Sequence, residues 1–149
     1  MAAPFFAMGR PAPGNLPASL NAFLVPESEL RATGSGTELL LESYTGGLVV
    51  FTLNITRVNE RASLELSIWG SQDGNVWGSR PLVHFPRKYH CGESTLQWDP
   101  AEHPYVQRLR AQWQVDRWGR GEGKPLIALA LHAREVPRRP AQISAGMNR

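Results

Sequence analysis

The chain has a single cysteine, Cys91, among 149 residues, so no internal disulfide can staple it and nothing points to an oxidising compartment. It also lacks any run of about 18 apolar residues, which excludes a membrane-spanning helix. Met1 to Phe6 has neither the basic flank nor the apolar stretch of a secretory signal. The expected location is therefore cytoplasmic or virion-associated, with no membrane as partner. There is no internal repeat. A one-sided charge is missing too, because 16 Lys+Arg stand against 13 Asp+Glu. Nine of those cations fall in residues 106–149 and arginine supplies nearly all of them. A nucleic-acid groove interleaves cations with stacking aromatics along one face, and arginine-rich composition alone does not supply that. Nucleic acid is not expected as a partner.

The chain is long enough to bury one core without metal or disulfide help, and its 14 Gly and 12 Pro are enough to punctuate many short elements. The clearest of these starts at Ser63. Leu64, Leu66 and Ile68 recur at every second position with Ser63, Glu65 and Ser67 between them, the period of a strand with one buried face. Gly70 ends that run, and Ser71-Gln72-Asp73-Gly74 predicts a turn, because Asp73 can bond its own backbone and Gly74 is free to take positive φ. Trp77 is then placed where a returning strand lays its ring over the hairpin. Leu48 to Val58 alternates in the same way, with Val49, Phe51, Leu53 and Ile55 on one face and Thr52, Asn54 and Thr56 on the other.

Further strands are predicted over Glu38–Glu42, Pro81–Phe85, Ser94–Trp98, Val106–Trp118 and Leu126–Ala133; the last two also admit a helix, since Tyr105, Leu109 and Trp113 fit helical spacing and the Leu and Ala content of the final segment suits one. Leu109, Ala111, Trp113 and Val115 form one face of the fourth of these, and Arg108, Arg110, Gln112 and Gln114 the other. Asp99-Pro100-Ala101-Glu102 has an N-cap residue, a proline at the first helical position and a carboxylate at the third. Pro104 stops the helix after one turn. Sheet faces and edges at this spacing must be hidden, so the expected fold is all-β, an antiparallel two-sheet sandwich. Residues 1–36 are expected as an irregular Pro-rich arm, 37–135 as the sandwich and 136–149 as a mobile basic tail.

The stretch Ser71-Gln72-Asp73-Gly74-Asn75-Val76-Trp77, together with Leu109-Arg110 leading into Trp113, resembles two groups of jelly-roll β-sandwich. One is the discoidin-type, galactose-binding-like module. The other comprises small virion-associated β-sandwich proteins of phages and uncharacterised bacterial relatives. The resemblance spans roughly residues 37–134 and implies a jelly-roll-like sandwich that works by binding. The flanking cysteines of discoidin modules are absent from this chain.

No catalytic or cofactor signature is present, and a non-enzymatic role is expected. His84 and His90 are separated by Pro86 with no third ligand at zinc spacing, and the glycines at 119, 121 and 123 lack Walker spacing. The leading expectation is a structural or protein-interaction subunit of a larger assembly, acting through self-association or a protein partner. The alternative is a carbohydrate-binding module in which Trp69, Trp77 and Trp118 stack on sugar rings while Asp73, Arg117 and Arg120 bond hydroxyls.

Overall fold

The computed structural model describes residues 19–59, 61–118 and 124–138. Nine strands are found among them: β1 (Asn21–Leu30), β2 (Gly34–Ser35), β3 (Leu39–Leu40), β4 (Leu48–Val58), β5 (Ala62–Ser71), β6 (Val83–His84), β7 (Gly92–Trp98), β8 (Arg108–Arg117) and β9 (Ile127–Val136). They form two antiparallel sheets packed as a sandwich. The first runs β1-β9-β4-β7; the second runs β2-β8-β5-β6, with β3 also pairing β8.

Alternation along the strands makes the core. Val49, Phe51, Leu53 and Ile55 from β4, with Leu129, Leu131 and Ala133 from β9, face Leu64, Leu66 and Ile68 from β5 and Leu109, Ala111 and Val115 from β8. Phe51 stacks on Trp98 at 6.3 Å between ring centres. Each large apolar side chain buried this way is worth roughly 1.5–3 kcal/mol, which is what ties the two sheets together. The β5–β8 ladder runs without interruption from Ala62↔Arg117 to Ser71↔Arg108. Its outer rows therefore set Glu65 opposite Gln114, Ser67 opposite Gln112 and Trp69 opposite Arg110.

The expected helical turn is present as a 3-10 turn over Pro100–Glu102, with the Asp99 carboxylate accepting from the Ala101 N–H at 3.0 Å. The Leu48–Val58 strand has its expected bounds.

Other elements differ from the sequence reading. Asn21–Leu30, placed within the irregular arm, is β1, a ten-residue edge strand on β9. Two register shifts hide it from a period-two reading. Leu131 and His132 sit opposite Val25 and Phe23, so Leu24 is an extra residue and both Leu24 and Val25 are buried. The second shift spans Pro26, whose missing N–H is tolerated at an edge and a bulge. The strand expected over Glu38–Glu42 shrinks to Leu39–Leu40. Trp77 lies outside any strand, and the return along β5 is made by Val83–His84. Val136, assigned to the tail, completes β9. Arg138 is docked, donating to the Gly46 carbonyl at 2.9 Å and pairing with Asp99. The rest of the expected tail, 139–149, and the first 18 residues of the expected arm lie outside the described residues.

Candidate functional site

The Asp73-Gly74 turn organises one end of the second sheet. Asp73 Oδ1 accepts from the N–H groups of Asn75 at 2.8 Å and Val76 at 3.1 Å, while the Ser71 hydroxyl accepts from the Gly74 N–H at 2.8 Å. The Asn75 N–H, then the Val76 N–H, hold the Asp73 carboxyl below the usual aspartate range. Gly74 takes φ +85°, which a side chain resists. Asp73 thus serves the turn through Oδ1, and the exposed carboxylate also lines the cleft beside it.

That turn delivers Trp77 to the outer face of the sheet. Its indole Nε1–H donates to the Gly74 carbonyl at 3.1 Å, and the Arg110 guanidinium lies over its ring at 4.2 Å from the centre. Arg110 stands directly across the ladder from Trp69, whose Nε1–H donates to the Ser67 hydroxyl at 2.9 Å. Trp69, Arg110 and Trp77 therefore form one connected patch. A shallow cleft of about 530 Å³ opens beside it, lined by Gln72, Val76, Trp77, Arg80 and Tyr105. Val76 is 69% exposed and Tyr105 54% exposed, high values for apolar and aromatic groups flanking a cleft. On the far side of Trp69 a second cleft of about 330 Å³ holds Glu65, Ser67, His84, Gln112 and Gln114.

The remaining sequence-predicted residues lie elsewhere. Arg117 ends β8 seven residues beyond Arg110, about 23 Å along the strand. Trp118, 48% exposed, follows it and meets Tyr89 edge-on at 6.1 Å. Arg120 lies outside the described residues. So the structure joins Trp69, Asp73 and Trp77 and sets Arg117 and Trp118 apart from them. It adds Arg110, Val76 and Tyr105, none of them among the sequence-predicted site residues. The signal for Arg110 was its parity with Gln112 and Gln114 on the polar face of β8.

The histidines are dispersed. His103 Nδ1 accepts from the Trp98 indole at 3.1 Å, His132 Nε2 bonds Asn21 Oδ1 at 2.6 Å, His84 lies on β6 and His90 beside Tyr89. Burial, then the Arg134 charge, lowers the His132 pKa. Among the described residues no three of His, Cys, Asp or Glu gather as a metal-holding group, and no helix is long and apolar enough to cross a membrane.

These features define a two-sheet antiparallel β-sandwich with an aromatic and guanidinium patch on one outer face. No protein-family model matches the chain, and no curated protein matches it.

Proposed function

We propose that the chain is a non-enzymatic contact module, a structural or protein-interaction subunit that docks through the outer face of its second sheet. The observation that supports this most is the Arg110 guanidinium held over Trp77 beside exposed Val76 and Tyr105. Tryptophan, tyrosine and arginine are the side chains that concentrate binding energy at protein interfaces, because they bury large areas and keep a polar handle. Here the two indoles are already oriented by their own hydrogen bonds, so little rotamer freedom remains to be lost on docking.

Carbohydrate binding is the second reading, favoured by the Trp69 cleft with its Glu65, Ser67 and Gln112 side chains. It fits less well, since Arg110 covers one face of Trp77. The two readings part on a crosslinking experiment in cells that express the chain. A photoreactive phenylalanine analogue at Val76 is expected to capture a discrete protein adduct that Arg110→Ala weakens. The same analogue at Thr56, on the opposite sheet, should capture none. Equal labelling from both positions, or none from Val76 alongside glycan-induced quenching of tryptophan fluorescence, removes the protein-contact reading.

A further inference from the structure

A sheet edge presents backbone N–H and C=O groups without strand partners, and stable chains blunt such edges with prolines, charges, bulges or short strands. Three edges here are blunted. β1 carries Pro26, Glu27, Glu29 and two register shifts. The second sheet ends in the two-residue segments β2 and β3 on one side and β6 on the other. The fourth edge is different. β7 pairs β4 in unbroken register from Gly92↔Ile55 to Trp98↔Val49, contains no proline and has one charge, Glu93. Thr95 and Gln97 are exposed, and inward-facing Leu96 is only half-buried, because among the described residues no strand lies beyond it.

We propose that β7 pairs with β7 of a second copy of this chain, antiparallel about a two-fold axis through Thr95, merging two four-stranded sheets into one. This surface belongs to the first sheet and does not depend on the Trp77–Arg110 patch.

Self-complementarity selects a second copy as the occupant. Antiparallel pairing with full overlap sets position 92 against 98, 93 against 97, 94 against 96 and 95 against itself. The strand's one charge then meets the partner's Gln97, whose amide can donate to it, and never meets its own copy. Thr95 faces the partner's Thr95, a β-branched pair with hydroxyls in reach of each other. On the inner row Leu96 and the partner's Leu96 are diagonal neighbours, each covering the flank the other leaves open.

The test is analytical ultracentrifugation from about 1 µM to about 1 mM, the range of weak interfaces. The unmodified chain is expected to dimerise reversibly. Thr95→Lys sets two ammonium groups face to face on the axis and should raise the dissociation constant about tenfold or more. Thr95→Glu should do the same, and an equimolar mixture of the two variants should recover the dimer. If Thr95→Lys fails to fold by circular dichroism, Gln97→Glu replaces it, because it opposes Glu93 twice across the axis. A chain monomeric throughout the range overturns the proposal. So does a dimer indifferent to these substitutions, a mixture that stays monomeric, or a dimer abolished by Val76→Asp with Tyr105→Asp but not by Thr95→Lys.

Discussion

Glu135 offers the sharpest test of how this sandwich is closed. It is a carboxylate only 8% exposed near the end of β9, and its oxygens accept from three backbone N–H groups and one hydroxyl. The Leu20 N–H lies at 3.2 Å, the Thr45 N–H at 3.0 Å, the Thr45 hydroxyl at 2.8 Å and the Gly47 N–H at 2.7 Å. Three segments, before β1, before β4 and at the end of β9, are pinned on one side chain. Gly47 permits the approach, since a Cβ there would run into the Val136 carbonyl.

Glu135→Gln keeps the shape, removes the charge and turns an amide NH₂ toward groups that are themselves donors. Hydrogen bonds to a charged acceptor contribute about 1.5–3 kcal/mol each and neutral ones about half that, so the loss over several donors should be about 2–4 kcal/mol. For a chain of this size that lowers Tm by roughly 5–15 °C. The sign of the pH dependence follows from the same contacts. Burial pushes the Glu135 pKa up, but the Gly47 N–H, then the Thr45 hydroxyl and N–H, then the Leu20 N–H outweigh it, and the net shift is down. A lowered folded-state pKa contributes stability that is full above the ordinary glutamate value of 4.5 and is lost as pH falls through the folded value beneath it. The stability gap between the unmodified chain and Glu135→Gln, measured by urea unfolding, should therefore be widest near neutrality and close as the pH drops below about 4.5. A gap under about 0.5 kcal/mol at pH 7, or one unchanged in acid, would refute the contact set.

Two other substitutions probe the turn and its packing. Gly70→Ala would place a Cβ 2.7 Å from Leu82 Cδ1 and 2.8 Å from both Val106 methyls, so a loss of about 1–3 kcal/mol is expected in thermal unfolding. Gly74→Ala forces a side chain into positive φ beside Glu38 and Arg108, with an expected loss of about 1–2 kcal/mol and a shift in tryptophan emission as Trp77 is displaced; unchanged emission would separate the turn from the ring.

The parts of the fold legible in the sequence are those whose cause is local. Leu64, Leu66 and Ile68 announce their strand because nothing interrupts the pleat, and Asp99-Pro100 announces its turn because cap, proline and carboxylate all lie within four residues. β1 was invisible for an equally local reason, since each bulge reverses which parity is buried and Pro26 reads as a breaker unless the strand is known to be an edge. The strand expected over Glu38–Glu42 failed differently: Leu39 and Leu40 do pair β8, but that partner begins at Arg108, opposite Leu40, and its Gln112 and Trp113 are taken by β2 in a register shifted by one residue.

The site obeys the same division. Asp73 and Gly74 were readable as a turn, yet the use of that turn, the delivery of Trp77 under Arg110, joins positions 33 residues apart in the sequence. Parity alone put Arg110 on the polar face of β8, and parity alone put Trp69 opposite the core-facing leucines. What parity could not supply is register, which decides that Arg110 rather than Arg108 stands across from Trp69. A slip of two residues would preserve every buried side chain of β8 and still replace Arg110 with Gln112 or Arg108 at that position. The core therefore leaves the identity of the patch underdetermined. The observed register carries through both ends of the ladder, with the Gln107 N–H donating to the Ser71 carbonyl at 2.9 Å and the Trp118 N–H to the Arg61 carbonyl at 2.7 Å. In this chain the surface chemistry therefore depends on the register of β5 against β8, which the apolar period of the two strands does not encode.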